Sequence, residues 1–480
     1  MPAKQRHGGL PEHLILAVLL VGFALLCQQQ GWLWRWDHNI YDAQLRFWSR
    51  SAPDNIVIVA IDEDSLAQFG RWPWTRQIHA QLLRKLSGEQ PRAIGFDVIF
   101  AEPDLRDLEG DRQLAQAIRN NRRVALPVVM EQPRLGATPL EILPLPALAN
   151  AAAALGHVHV ELDPDGIARS LYLHEGLGSP HWPHLSLALL QIAGELPAAS
   201  TPVTAGTQST ASMMRWARAQ PLLIPFAGPP GHFNQVSYAQ VMQGNYAADT
   251  FRDKYVLIGA TAAGLGDALP TPVSGFSHSM TGVEINANIL DALIRDISII
   301  PLPRGWQLAL TGLLALLPML MFPYLAPRTN LLAMLSLLVA TLVLTAVLLI
   351  TLHSWFRPSA ALLAITLSYP LWSWRRLEQA LRYLTQELDQ LKNQTAELTI
   401  APSPSLERDL DFLQHILPVR GWSLIGRDGQ PAAGHGAIPG TPPATVPPGR
   451  WTGTTDGLWT TVNRQGETCL LYTSPSPRDL

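Results

Sequence analysis

Between Trp306 and Trp374 lie three apolar runs, Trp306 to Leu325, Leu331 to Leu352 and Trp355 to Trp374, whose one charge is Arg357. Each is about 20 residues, enough to cross a hydrocarbon core of about 30 Å at 1.5 Å per residue. The connections Ala326 to Asn330 and His353 to Ser354 are too short to hold a domain. Three membrane spans in one hairpinned bundle follow, with the preceding and following sequence on opposite sides of the bilayer. A soluble core helix rarely runs so far without a charge.

Composition agrees, since 47% hydrophobic and 15% charged residues in 480 describe a chain with membrane and soluble parts. A net charge of -3 offers no basic stripe for a phosphate backbone, so no nucleic acid is expected as a partner. Cys27, inside an apolar run, and Cys469, near the end, are the only cysteines, so no disulfide or cysteine-ligated zinc frame can be built in the region between. Leu14 to Cys27 is a further apolar run, preceded by Lys4 and Arg6 and followed by Trp32, Trp34 and Trp36. Leu25 and Leu26 suit neither signal-peptide nor lipoprotein cleavage, and the tryptophans suit a membrane interface, so the run reads as an uncleaved anchor. Lys4, Arg6, Arg328, Arg375 and Arg376 all fall inside if residues 1–35 hold the N-terminus and first span. Residues 36–304 are then an extracytoplasmic domain, 305–375 three spans, and the remainder cytoplasmic.

In the outer domain, Leu33, Trp36, Ile40, Tyr41, Leu45 and Trp48 recur at helical spacing and predict an outward continuation of the first span. Ile56 to Ile61, Ala93 to Phe100, Val124 to Val129, Leu222 to Phe226 and Tyr255 to Gly259 read as buried strands. A helix with Ile78, Leu82, Leu83 and Leu86 on one face, started by Thr75 and stopped by Gly88, joins the first two into a βαβ unit. Alternating runs around Asp163 to Gly166 predict a hairpin, and Ala198 to Ser212 a loose loop. The fold class is an α/β extracytoplasmic sensor domain with an α-helical transmembrane bundle and a cytoplasmic coiled-coil helix.

Several residues are candidates for ligand binding. Asp62, Glu63 and Asp64 follow one strand, and Asp97, Glu102 and Asp104 lie in or after the next, where open α/β sheets bind ligands. Such carboxylates hold Ca²⁺ or Mg²⁺, or start helices, with Asp64 or Ser65 a natural N-cap. His157, His159 and Glu161 share one strand face and suit Zn²⁺ or Fe²⁺, as they equally suit a solvated face. Arg71, Trp72 and Trp74 of Gly70 to Trp74 form an aromatic loop able to stack a cation, or a pair packed over a sheet edge. Gly259 to Asp267 lacks both GxGxxG and the P-loop Lys-Ser/Thr, so no nucleotide and no other cofactor is expected. Thr281 and Glu284 predict a capping box for the helix leading to the membrane.

The order of these motifs carries a resemblance. Asn55 to Ala67, Gly70 to Trp74, Ala93 to Asp104, Ile224 to Phe233, Lys254 to Gly275 and Gly282 to Leu293 resemble the CHASE domain, type 2, across about residues 35 to 375. The resemblance implies a bacterial sensor with an unknown extracytoplasmic ligand, held in the inner membrane by several spans. It also implies a cytoplasmic histidine kinase, nucleotide cyclase or serine/threonine kinase as output, and no catalytic residue in the sensor.

Beyond the spans, Leu377, Leu381, Leu384, Leu388, Leu391 and Leu398 alternate 4-3-4-3, with Thr395 in the gap. That a/d seam predicts a homodimer through the Leu377 to Leu398 helix, within a signalling coiled coil at 376–400. Leu410 to Leu417 predicts a short helix. Residues 401–468 read as a linker with a truncated PAS-like segment at Trp422 to Gly429. His415 lacks the acidic neighbour of a kinase phosphoacceptor, and no kinase or cyclase core motif is present. Cys469 to Asp479 resembles a translated sequencing adapter, so 469–480 reads as an artefact and an output domain is expected in the native protein. A histidine kinase, with a response regulator as partner, is the preferred output, because a coiled coil and PAS-like segment commonly precede one. A metal-dependent enzyme on the outer face, around Asp62, Asp97 and Asp104, is the competing class. A transporter ranks last, because the predicted spans hold no carboxylate or histidine.

Overall fold

The computed structural model describes residues 12–105, 107–131, 139–195, 215–275 and 279–397, and the strands Val419–Ile425, Pro431–His435, Thr452–Gly453, Leu458–Val462 and Thr468–Thr473. It divides into one unit through Arg376 and another from Leu377.

In the first unit, α1 (Glu12–Gln30) stops at Gly31, whose φ of +66° is open to glycine, and α2 (Trp34–Phe47) leaves at 78°. The periodicity located α2 as the outward continuation of the first span, and the structure adds a bend between the two helices. Its buried face holds Tyr41 and Leu45 together with two carboxylates, Asp37 and Asp42. β1 (Ile56–Ile61), α3 (Glu63–Phe69), α4 (Arg76–Gly88), β2 (Ala93–Asp97), α5 (Leu108–Asn121) and β3 (Val124–Glu131) follow. Next come β4 (Leu140–Ile142), α6 (Pro146–Ala149) and β5 (Ala154–His157). β6 (Glu161–Leu162) and β7 (Ala168–Leu177) form the hairpin expected around Asp163 to Gly166, with Gly166 at φ +79°. β8 (Trp182–Pro183), α7 (Leu185–Ala193) and β9 (Trp216–Leu223) complete that region, β8 and β9 both pairing with β7. β10 (Asn234–Ser237), α8 (Tyr238–Gln243), β11 (Tyr255–Ala260), β12 (Ala268–Leu269), β13 (Met280–Thr281) and α9 (Gly282–Ile294) then complete the α/β domain.

The main sheet runs β10-β1-β11-β2-β3, with β4 antiparallel and β5 parallel to β3. β11 separates β1 from β2, so the expected βαβ strands are not neighbours. β11 is suited to the centre because it is apolar on both faces. Alternate β1 residues face two different cores: Val57, Val59 and Ile61 pack with Leu82, Leu83 and Leu114, and Ile56 and Ile58 pack with Leu187, Ile285 and Ile289. The second core extends to Tyr41, Leu349 and Trp355, joining the α/β domain to the helices that follow it.

β14 (Ile300–Pro301) precedes α10 (Arg304–Met321) and α11 (Pro327–Leu352), and it pairs with β15 (Ser354–Trp355). Among the described residues α10, extended to Tyr324, and α11 are long and apolar enough to cross a membrane, and the bent α1–α2 pair makes a third if counted as one span. Val18, Leu19, Val339 and Val343 are exposed, as lipid-facing side chains would be. The last expected span begins as β15 and continues as α12 (Ser359–Glu397), a helix that runs on past Arg375 into polar sequence.

In the second unit, β16 (Val419–Ile425), β17 (Pro431–His435), β18 (Thr452–Gly453), β19 (Leu458–Val462) and β20 (Thr468–Thr473) form an antiparallel sheet in the order β17-β16-β20-β19-β18. Cys469 to Thr473, read from sequence as adapter-derived, thus lies in a central strand. The predicted loop Ala198 to Ser212, the short helix around Leu410, His415 and Leu398 lie outside the described residues.

Candidate functional site

A cavity of about 1120 Å³ opens beyond the carboxyl ends of β2, β3 and β11. Asp97, the last residue of β2, lines it together with Val129 and Met130 of β3, Ala260 of β11 and the first turn of α9. This is where a parallel sheet leaves a crevice, because its helices diverge from the strand ends. Gly259 makes the close approach of α9 feasible, since a Cβ there would lie 2.6 Å from Val283 Cβ and 3.2 Å from Asp97 Cβ. The glycine serves helix-on-sheet packing rather than a phosphate.

Asp97 is half-buried and lines the cavity. Burial pushes its carboxyl up to about 6; the Asn286 side chain opposes the rise, and Asp267 adds to it. The positive end of α9 beside it also favours the anion. Asn286 is 2% exposed, and its Oδ1 has no hydrogen-bond partner. Arg76, also at the cavity, is committed elsewhere: Nη2 donates to the Glu102 carbonyl at 3.2 Å, Nε lies 3.5 Å from Asp111 Oδ1, and the guanidinium covers Phe100.

At the rim, His159 Nδ1 lies 3.0 Å from Glu175 Oε2 and 3.6 Å from Glu161 Oε1. This trio, with donor atoms within 4.8 Å, is the one metal-competent group among the described residues. Arg218 already occupies it, with Nη2 2.8 Å from Glu161 and Nε 3.6 Å from Glu175, while Trp216 Nε1 donates to Glu175 at 3.0 Å. Burial raises the Glu175 carboxyl, but His159, His157 and Trp216 outweigh it and hold it below its ordinary range. The arrangement is a closed ion-pair network that a metal would have to break.

The CHASE2 domain profile matches residues 15–321. The chain belongs to the CHASE2 domain family. Its members are extracellular sensor domains found in bacterial receptors. No curated protein and no solved structure matches the chain.

Within the CHASE2 domain, Trp72, Asp97 and Asp104 of the anticipated ligand residues line the cavity, as does Glu102. Asp62 instead caps α3, accepting from Ser65 N at 2.9 Å and Ser237 Oγ at 2.9 Å. Asp64 and Arg71 are exposed and do not line it. Trp74 is buried, donates to the Gly70 carbonyl at 2.9 Å and packs against Phe69 and Tyr238. His157 faces His184 at 5.0 Å rather than joining His159 and Glu161 as a ligand, and burial holds both of the facing rings neutral, His184 down to about 3. The capping box does not form: Thr281 makes no side-chain cap bond, and Glu284 Oε1 accepts from Gly231 N and His232 N. Sequence reasoning missed Asn286 and Glu175. Polar residues in α9, a helix buried from Val283 to Leu293, were the available signal.

Proposed function

We propose that the chain is the receiving half of a transmembrane receptor whose CHASE2 cavity takes an extracytoplasmic ligand and whose cytoplasmic output is a histidine kinase acting on a response regulator. The observation that carries the coupling is α2. Asp42 on its buried face takes a bidentate pair of bonds from Arg169 of β7, both 2.8 Å. Five residues earlier on the same helix, Asp37 Oδ1 accepts from Ser359 N at the start of α12 at 2.8 Å. Gln44 donates to Thr345 of α11, and Trp355 packs on His38 and Tyr41. A displacement of α2 therefore moves the sensor and two membrane-side helices together.

On this reading α1, α10, α11 and the apolar start of α12 are four spans in the inner membrane, with the CHASE2 domain outside. Leu377, Leu381, Leu384 and Leu388 are each more than half exposed in the single chain, which supports a second copy covering them as a parallel coiled coil. Register or rotation between two such helices is a bistable element that α2 can bias. A nucleotide cyclase uses similar linkers and is the second reading. The topology is tested by reporter fusions: Ser209 should report outside the membrane and Gln394 inside, and an inside signal at Ser209 overturns the layout.

A further inference from the structure

The cavity's lining restricts what it can hold. Among the described residues its charges are Asp97, Glu102, Asp104 and Asp267 against Arg76, with the His159 imidazole beside them. Arg76 already faces Asp111 and the Glu102 carbonyl. An anion aimed at the α9 N-terminus would meet Asp97, whose Oδ2 lies 3.4 Å from where a Gly282 Cβ would stand, so the helix end is already served by this chain's own carboxylate. A bare metal ion is no better placed, since among the described residues no three His, Cys, Asp or Glu ligand atoms around Asp97 converge within 4.8 Å. The remaining lining is apolar, with Val129, Met130, Val160 and Leu269, and Trp72 offers an indole. A carboxylate and an aromatic face within an apolar wall are the groups that hold an ammonium on a hydrophobic body. The unpartnered Oδ1 of Asn286, a buried residue of the lining, adds an acceptor that only a donor can satisfy.

Resting on the cavity as the sensory site, we infer that its ligand is an organic cation, an amine or amidine carried on a compact apolar body, with the charge against Asp97 and Asn286 and the body against the β3 and Trp72 walls. The volume suffices for a ligand of ordinary drug size. Binding should strengthen as pH rises through about 6, where Asp97 ionises.

The test uses the full chain in nanodiscs and three probe sets: phenethylamine, cyclohexylamine and benzamidine; the neutral phenylethanol and cyclohexanol; and the anions phenylpropanoate and benzoate. Calorimetry should show binding by at least one cationic probe, weaker or no binding by its neutral and anionic counterparts, and a loss of about 10-fold or more in Asp97→Asn. The variant should also lose the rise in affinity between pH 5 and 7, a readout that a mere change of packing would not move. Cationic binding unchanged by Asp97→Asn, or binding of the anions in preference, overturns the ligand class while leaving the cavity a binding site. Binding by none of the three sets overturns both the class and the sensory role of the cavity.

Discussion

Asp97→Asn makes the cavity's character measurable without any ligand. The carboxyl titrates near 6 in the folded chain against 3.8 in an ordinary setting. Below both values it is neutral whether the chain is folded or not, and the folded state bears no penalty. As pH rises through that window the unfolded chain releases its proton first, so folding stability falls, and by pH 7.5 the loss amounts to about 3 kcal/mol. The amide keeps the shape of the side chain and a bond to Asn286 but does not titrate. Asp97→Asn should therefore match the parent protein near pH 4.5 to within about 1 kcal/mol and exceed it by about 2 to 3 kcal/mol at pH 7.5. For a domain of this size that is about 4 to 12 °C in melting temperature. Tryptophan-fluorescence melts of both proteins in nanodiscs, at the two pH values, read the difference directly. A stability gap that does not change with pH, or an asparagine variant less stable at pH 7.5, refutes the argument that Asp97 is held as a strained, desolvated acid.

Arg169→Met should lower stability by about 3 to 5 kcal/mol, because it strands the buried Asp42 carboxylate; Asp163→Asn and Asp165→Asn, at partly exposed partners, should each lose about 1 kcal/mol or less. Denaturant titration checks the contrast, and three equal losses would show that the pair with Asp42 is not special. Replacing Leu384 and Leu388 with Glu should abolish disulfide crosslinking between cysteines placed at neighbouring seam positions in membranes, and crosslinking that persists removes this helix as the dimer contact.

The strands were legible because they are short apolar runs, and β1, β2, β3 and β11 lie close to where continuous burial put them. Their neighbours were not legible, since nothing local in β11 says that it enters between β1 and β2. The candidate site was half visible. Asp97 and Asp104 could be found from the strand-end rule, and Trp72 from its loop, because each follows directly from local chain geometry. Glu175 belongs to a strand whose alternation looks like any half-buried edge, and its partners come from β9 and the 159–161 stretch. Asp37 and Asp42 were hidden for the opposite reason. On a helix read by its apolar stripe, a carboxylate counts as surface, and only Arg169 and the start of α12 make these two interior.

On the proposed reading, the same buried charges specify a route from cavity to membrane. Arg169 and Glu175 are six residues apart on β7, so their side chains share one face, and both are buried. Glu175 belongs to the cavity rim through His159, and Arg169 grips α2 through Asp42. A ligand that draws His159 inward pulls on a strand already pinned at its far end to the helix that caps α12. Apolar contacts at the joint could slip past one another by a rotamer change. A bidentate guanidinium–carboxylate pair at 1% and 7% side-chain exposure cannot slip without stranding a charge, so α2 must follow the strand. What reaches the membrane is then a movement of α2 as a body, delivered to α12 at Ser359 through Asp37.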